Sequence, residues 1–401
     1  MKHLKTIFCA LKALFGVFLV GMSTAAWGQT SPNDQPVVDP MDSVEISLLT
    51  CQPHDEVYSL YGHTAIRFHD TRKGRQIDAA FNYGVFDFKK SFFVLRFVFG
   101  LTDYELGAYP YKYFVHEYRQ FGSMVTEQVL NLTSDEKQKL QDALAENLEP
   151  ENKIYRYNYF YNNCTTKARD IIEQCINGKV EYAEREDYMP SYRDMVHEMT
   201  RNNPWSRFGN DILLGIKADK TTTQREQEFL PHHLMYDFDY AQIYENGQYR
   251  PLVKERRMAV PAGVQMVKGG FPLSPMVCAV IWLAVGLVIF LIEWKKRRAF
   301  VVWDILLMVI TGIIGIMLTL MIFSQHPTVS LNLQIILFNP LPWFFLWPVI
   351  RGRQTRYWLF TAILGVLFFL GALLQSYAEG IWSLALCLLL QCILHMNRVR
   401  Q

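Results

Sequence analysis

Two segments of this sequence contain the residue types that form a nucleophile and its base. Cys164 lies in the segment Tyr-Asn-Asn-Cys-Thr-Thr at residues 161–166, and His63 lies in Tyr-Gly-His-Thr-Ala-Ile-Arg at residues 61–67. A cysteine thiolate attacks ester and amide carbonyls when a nearby imidazole accepts the thiol proton. Brought together, these two side chains would form a covalent intermediate on Cys164.

The residues after Cys164 predict that it begins a helix. Apolar or small residues repeat at helical spacing, and a glycine then stops the pattern: Ala168, Ile171, Ile172, Cys175, Ile176 and Gly178. Asn162 or Asn163 is suited to the N-cap, which places Cys164 in the first turn, where the helix dipole favours thiolate. The alternating aromatic residues at 155–161 predict a preceding strand. From position alone, a small buried residue or half of a disulfide explains Cys164 equally well.

His63 is predicted to lie at the start of a strand. Gly62 permits a tight turn before it, and the residues that follow alternate in character. A histidine at this place can face a helix N-terminus across a cleft, although a lone histidine is often structural. The next predicted strand, at residues 78–84, offers Asp78 or Asn82 to hold the imidazole in the required tautomer. The sequence leaves this choice open.

Composition separates the chain into two regions. Residues 1–270 mix charged and apolar positions as globular domains do, whereas residues 271–401 are dominated by large apolar side chains. The 40 Lys and Arg residues nearly balance the 38 Asp and Glu residues. The chain therefore lacks the strong basic field of nucleic-acid-binding proteins, and we expect no nucleic-acid partner.

The N-terminal residues have the layout of a secretory signal peptide. Lys2 and Lys5 precede an apolar run at 7–22, and small residues at 23–28 provide a cleavage site. We expect a signal peptide at 1–28, with an uncleaved signal anchor as the alternative. Residues 29–43, rich in Pro and Asp, are expected to be a flexible leader. Either alternative exports the domain predicted at 44–270.

Residues 271–401 are predicted to form a transmembrane domain. Five apolar runs approach the length of a membrane span, namely 274–292, 300–323, 333–350, 357–374 and 380–395. Prolines at 340, 342 and 348 predict a break in the third run. Lys or Arg residues follow the first, third and fifth runs, whereas the loops at 324–332 and 376–379 have no Lys or Arg. By the positive-inside rule, the soluble domain lies outside and the C-terminus lies in the cytoplasm.

Three other features leave alternatives open. The domain predicted at 44–270 has three cysteines, Cys51, Cys164 and Cys175. In an oxidising compartment an odd number leaves one thiol unpaired, and Cys51 with Cys175 is one conceivable pair. The Phe-rich segment 86–101 suits either a core helix, which we favour, or an element at the bilayer surface. The His232-His233 pair has no further ligands at zinc-like spacing, so we expect no metal.

Four motifs, followed by the five apolar runs, resemble the bacterial Lnb family of lipoprotein N-acyltransferases. They occupy residues 61–67, 81–88, 129–133 and 161–166. The resemblance covers nearly all of the chain after the signal peptide. It implies an α+β soluble domain with a circularly permuted papain-like fold (NlpC or lecithin:retinol acyltransferase-like), followed by an all-α domain of five transmembrane helices. It also implies the bacterial inner membrane, with the catalytic domain in the periplasm.

The resemblance assigns His63 as the base and Cys164 as the nucleophile. Asn82 is the candidate that orients His63, with Asp78 as the alternative. Four further residues of the motifs are candidates for substrate binding: Tyr61, Arg67, Tyr83 and Asn163. The implied reaction moves an acyl chain from a phospholipid or other lipid ester, through a Cys164 thioester, to the α-amine of a lipoprotein's lipidated N-terminal cysteine. No cofactor is implied.

Two alternatives remain at this stage. Papain-like enzymes with the same Cys and His also cleave cell-wall peptides, as peptidases or amidases. A non-catalytic binding module anchored in the membrane would use His63 and Cys164 only for packing. Wall cleavage does not require five spans, whereas transfer between membrane lipids benefits from them.

Overall fold

The chain folds into a mixed sheet and helix domain followed by a helical apolar region. The structure is a computed structural model that describes residues 39–56, 59–72, 74, 77–86, 92–185, 188–265, 270–353 and 356–399. The expected signal peptide at 1–28 and most of the leader at 29–43 lie outside these residues. The described residues from Pro40 onward form one compact unit.

An antiparallel sheet forms the centre of the first domain. In the described part of the chain it has seven strands in the order β10-β5-β1-β2-β3-β4-β6. Their bounds are β1 Val44–Cys51, β2 His63–Asp70, β3 Ile77–Val85, β4 Asp103–Pro110, β5 Val125–Leu130, β6 Ile154–Arg156 and β10 Val253–Val260. Three short strands form a second sheet: β7 Lys179–Glu181, β8 Gln242–Glu245 and β9 Gln248–Pro251.

Helices cover both faces of the large sheet. The helices of this domain are α1 Phe93–Val98, α2 Tyr111–Phe121, α3 Ser134–Leu148, α4 Cys164–Cys175, α5 Tyr192–Met199, α6 Pro204–Leu213, α7 Gln224–Gln227 and α8 Pro231–Tyr240. Successive strand residues point to opposite faces. Leu48 and Ile66 therefore pack in the core that contains Ile172 of α4, whereas Leu49 and Ala65 pack with Phe114 of α2.

The strand predicted at 155–161 is wrong beyond its first residues. β6 ends at Arg156, and Asn158 and Asn162 close a turn through backbone hydrogen bonds of 3.1 and 2.9 Å. The Asn158 side chain accepts from the backbone N–H groups of Phe160 and Tyr161. Asparagine competes in this way with strand pairing, so the alternating aromatic residues enclose a turn instead.

The apolar region contains five helices among the described residues: α9 Pro275–Lys296, α10 Val301–Met321, α11 Leu341–Ile350, α12 Tyr357–Gly371 and α13 Ile381–Val399. Within the part of the chain that the structure describes, three segments are long and apolar enough to cross a membrane, namely Pro275–Lys296, Val301–Met321 and Leu333–Ile350. The last of these is interrupted, because a 3-10 turn at Leu333–Ile336 precedes α11. The predicted break is therefore present, close to Pro340.

The two regions are joined through α6. Phe208 and Ile212 pack in the same apolar core as Val329 and Phe338 of the membrane region. The last carbonyl groups of a helix have no partner within the helix. Here Gln334 donates to the Asp211 carbonyl at 2.7 Å, and Asn332 donates to the Ile212 carbonyl at 2.7 Å. Side chains of the membrane region thus complete the end of a helix in the soluble domain.

Candidate active site

Cys164 occupies the first position of α4. The N-cap is Asn163, whose backbone is extended and whose Oδ1 accepts from the backbone N–H groups of Thr165 and Thr166, each at 2.9 Å. Thr166 Oγ1 accepts in return from the Asn163 N–H at 2.9 Å. This reciprocal capping fixes the first turn, so the thiol is held at the positive end of the helix dipole.

The start of β2 lies directly beside this helix turn. Thr64 Oγ1 donates to Thr165 Oγ1 at 3.1 Å, which joins the strand to the first turn of α4. The backbone N–H of Thr64 also hydrogen-bonds to the sulfur of Cys164. The preceding residue, His63, is thereby brought to the thiol, as the strand and helix predictions required.

Asn82 of β3 orients the His63 ring. Asn82 Oδ1 lies 3.0 Å from His63 Nε2, and Asn82 Nδ2 donates to the Ala80 carbonyl at 3.2 Å. Because the carboxamide nitrogen is used by that carbonyl, the oxygen faces the ring and favours a proton on Nε2. The second ring nitrogen is then available to Cys164, with which His63 forms a side-chain hydrogen bond.

The electrostatic setting favours charge separation between His63 and Cys164. Burial by itself raises the pKa of the Cys164 thiol and lowers the pKa of the His63 imidazole. Their mutual attraction and hydrogen bond outweigh burial, so the pKa of Cys164 falls below its ordinary value and that of His63 rises above it. The arrangement therefore stabilises a thiolate beside an imidazolium.

Asp78 lies away from this pair. Its carboxylate binds Arg67 through two contacts of 2.8 Å, and Arg67 also lies 3.0 Å from Glu127. The Arg67 guanidinium stacks over the ring of Tyr111, 3.6 Å from its centroid. Of the two candidate orienting residues, the structure places Asn82 beside His63 and uses Asp78 in an ion-pair network.

Both segments of the site contact elements tied to the membrane region. Asn210 of α6 donates to the hydroxyl of Tyr61, two residues before His63, at 2.7 Å. In the turn before Cys164, Asn158 lies 3.5 Å from His326 of the loop after α10. Cys164 and His63 are therefore on the side of the soluble domain that faces the membrane helices.

Two family models match this chain. Residues 38–209 match the family described as the Lnb N-terminal periplasmic domain, and residues 267–401 match the Lnb transmembrane domain. The chain belongs to the Lnb family. This Lnb-family protein is accordingly a membrane protein with a periplasmic N-terminal domain. Neither the curated proteins nor the solved structures contain a significant match.

The candidate substrate-binding residues of this Lnb-family protein are held by other parts of the protein. Tyr83 is buried, and its hydroxyl accepts from Asn147 at 2.9 Å. Asn163 is buried as the N-cap, and its amide donates to two backbone carbonyls at 3.0 and 2.8 Å. Tyr61 and Arg67, with the partners described above, are half-buried.

Gly84 is a site residue that the sequence analysis missed. It lies in a bulge of β3 between Asn82 and Val85, with φ of 87°. A Cβ atom at this position would lie 3.6 Å from the Cβ of Cys164 and 3.5 Å from the ring of Tyr157. A glycine inside a strand pattern often marks a bulge or a close approach, and that signal was available in the sequence.

One further thiol of this Lnb-family protein lies near the pair, because Cys51 is opposite His63 in the pairing of β1 with β2. Cys51 and Cys175 are free and belong to separate apolar cores, on opposite faces of the large sheet. His233 lies 2.8 Å from Arg185. Among the described residues, no three His, Cys, Asp or Glu side chains are grouped to hold a metal ion.

Proposed function

We propose that this protein is a lipoprotein N-acyltransferase with Cys164 as nucleophile, His63 as base and Asn82 as the residue that orients His63. The observation that carries the proposal is the hydrogen-bonded Cys164–His63 pair, oriented by Asn82, in a domain joined to membrane helices. The domain is proposed to have a permuted papain-like fold, which also places a cysteine at a helix start opposite a histidine.

In the first step, the Cys164 thiolate attacks the ester carbonyl of a membrane lipid. The carbon–sulfur bond forms, and the ester carbon–oxygen bond breaks as the tetrahedral intermediate collapses. The His63 imidazolium gives its proton to the departing alkoxide, which leaves as the alcohol of a lysolipid. The products of this step are a Cys164 thioester and a neutral imidazole.

In the second step, the neutral α-amine of a lipoprotein's lipidated N-terminal cysteine attacks the thioester. The carbon–nitrogen bond forms, His63 accepts the amine proton, and the carbon–sulfur bond breaks to release the thiolate. The products are an amide and the original thiolate–imidazolium pair, so the cycle closes. Since both substrates are anchored in the membrane, fixing the site to membrane helices raises their effective concentration.

The two alternatives are less well supported. A cell-wall peptidase has no need for the contacts that join Tyr61 to α6 and Asn158 to the loop after α10. A binding module in which His63 and Cys164 only pack has no need for a lowered thiol pKa and a raised imidazole pKa. Tyr83 and Asn163, two of the candidates for substrate binding, are proposed to act indirectly. Tyr83 would act through its hydrogen bond with Asn147, and Asn163 through its hydrogen bonds to two backbone carbonyls.

The proposed topology completes this assignment. It comprises a signal peptide at 1–28, a leader at 29–43, a catalytic domain at 44–270 and a transmembrane domain at 271–401 with five spans. The basic residues after the first, third and fifth runs support a cytoplasmic C-terminus. Reporters fused after Arg298 or Arg356 should behave as cytoplasmic, and one fused near Thr328 as exported. A cytoplasmic signal at Thr328 would overturn this topology.

The decisive experiment uses the purified full chain in phospholipid vesicles with a free-amine lipoprotein. Mass spectrometry of the N-terminal peptide should show the added acyl chain, together with a stoichiometric lysolipid. A Cys164→Ser variant should give neither product. Hydrolysis of peptidoglycan fragments without acyl transfer would instead support the peptidase.

A further inference from the structure

The short helix α1 and the residue before it, Phe92, have exposed apolar side chains. Phe92 is 77 % exposed, Leu95 is 47 % exposed and Phe97 is 43 % exposed. Soluble domains seldom expose several large apolar side chains side by side, and such patches mark contact with another protein or a membrane. This corrects the expectation of an ordinary core helix for part of residues 86–101.

The outer end of α10 lies against α1. The backbone N–H of Gln325 donates to the Phe99 carbonyl at 3.0 Å. A Cβ atom on Gly100 would come within 3.0 Å of the same nitrogen, so the two backbones touch where Gly100 has no side chain. Immediately after α10, Phe323 is 73 % exposed, and Ile322 is exposed as well. The apolar surface of a membrane-crossing helix thus continues onto α1.

Two arginines flank this apolar surface. Arg96 lies 2.6 Å from Asp103, and Arg156 lies 2.8 Å from the same carboxylate. Two guanidinium groups share one carboxylate, so one positive charge remains, and both arginine side chains are exposed. Cations beside exposed phenylalanines match a bilayer surface, where rings enter the acyl region and cations meet phosphate groups.

A short path leads from α1 to the nucleophile. Thr102 follows the helix and pairs with Tyr157 through two hydrogen bonds of 2.8 Å, one in each direction. The ring of Tyr157 stands beside Gly84, which is next to Cys164. The depth of α1 in a membrane would therefore set the depth of the thiol.

We propose that the patch formed by Phe92, Leu95, Phe97, Ile322 and Phe323 is embedded in the periplasm-facing leaflet of the bilayer. Its occupants are the acyl chains of that leaflet, because the patch continues the lipid-facing surface of α10. The contact holds Cys164 at the level of lipid ester groups, a consequence that rests on the proposed acyltransferase function.

Photocrosslinking tests the membrane contact without measuring activity. Benzoylphenylalanine replaces Phe92 in the full chain, which is reconstituted in phosphatidylethanolamine and phosphatidylglycerol vesicles whose acyl chains carry an alkyne. Phe323 is the positive control, and Tyr249, 58 % exposed with ring and hydroxyl contacts inside the soluble domain, is the matched control. Labelling at position 92 should approach that at 323 and exceed that at 249 several-fold. Labelling at 92 no greater than at 249 would overturn the proposal.

Kinetics test the consequence for the site. Leu95→Asn should raise the KM for vesicle lipid several-fold while the rate of Cys164 alkylation by iodoacetamide stays at the wild-type value, and Tyr249→Asn should change neither. A slower alkylation in Leu95→Asn would mean that α1 merely supports the fold. If position 92 crosslinks but the wild type transfers no acyl chain, the acyltransferase proposal fails alone. If acyl transfer occurs without crosslinking, only the membrane contact is refuted.

Discussion

Asn82 Oδ1 lies 3.0 Å from His63 Nε2, so an uncharged carboxamide orients the imidazole that faces Cys164. Unlike a carboxylate, a carboxamide fixes the tautomer without adding a negative charge next to the thiolate. The charge states of His63 and Cys164 therefore depend on the attraction between these two groups.

Replacing Cys164, the proposed nucleophile, should separate an effect on chemistry from an effect on stability. Cys164→Ser and Cys164→Ala should both abolish N-acylation, because serine has a much higher pKa and alanine has no nucleophile. The small void left by alanine should cost on the order of 1–2 kcal/mol or less. Conversion of free-amine lipoprotein and a melting curve measure the two effects. Cys175→Ala is the control, and an essential Cys175 or Cys51 in a folded variant would show that the nucleophile was misassigned.

Removing the orienting group should lower turnover more than binding. Asn82→Ala should reduce kcat on the order of 100-fold, because the ring loses the partner that fixes its tautomer. Asn82→Asp keeps an acceptor and should recover part of the rate. Its added negative charge should raise the pKa of His63 further and move the alkaline limb of the rate profile upward. A wild-type kcat in Asn82→Ala would remove Asn82 from the site.

The pH dependence follows from the two pKa directions. The pKa of Cys164 lies below the ordinary thiol value of 9.0, so alkylation should persist at pH values where a free cysteine is protonated. The pKa of His63 lies above 6.5, so at pH values just above 6.5 the imidazole still carries the proton that the leaving group needs. Acylation should then show a bell-shaped profile. His63→Asn should shift alkylation to higher pH, and an unchanged profile would contradict the ion pair.

A methyl group at Gly84 should obstruct the site. Gly84→Ala introduces strain at positive φ, about 1–2 kcal/mol, and places a carbon 3.6 Å from the Cβ of Cys164. Gly74→Ala is a matched control, since its φ is 86° and, apart from its chain neighbours, no described residue has an atom within 4 Å of the added Cβ. Both variants should lose similar stability, but only Gly84→Ala should slow acyl transfer. Equal rates for the two variants would show that Gly84 does not border the substrate.

Local signals in the sequence predicted the parts of the site that depend on neighbouring residues. Asn163, one of the two asparagines suited to the N-cap, caps the helix that begins at Cys164. Asn82 and Asp78 could not be separated, because the choice depends on strand register. The pairing of β2 with β3 places Asp78 opposite His69, at the other end of β2 from His63.

Contacts between segments that are far apart in the chain could not be predicted from the sequence. Nothing local indicates that Gln334 and Asn332 reach the carbonyls of α6, more than a hundred residues earlier. The apolar side of α1 was equally ambiguous, because a Phe-rich pattern suits both a protein core and a bilayer. Our proposal that it contacts the bilayer depends on which of its residues the fold leaves exposed.

The completion of α6 by side chains of the membrane region also imposes an order on biogenesis. Ribosomes make the soluble domain first, so α6 is synthesised long before the loop that carries Asn332 and Gln334. Until the helices on either side of that loop are inserted, two helix-end carbonyls and the apolar side chains of Phe208 and Ile212 lack their native partners. We therefore expect the Tyr61–His63 segment, which α6 holds through Asn210, to reach its native structure only after these membrane helices have inserted.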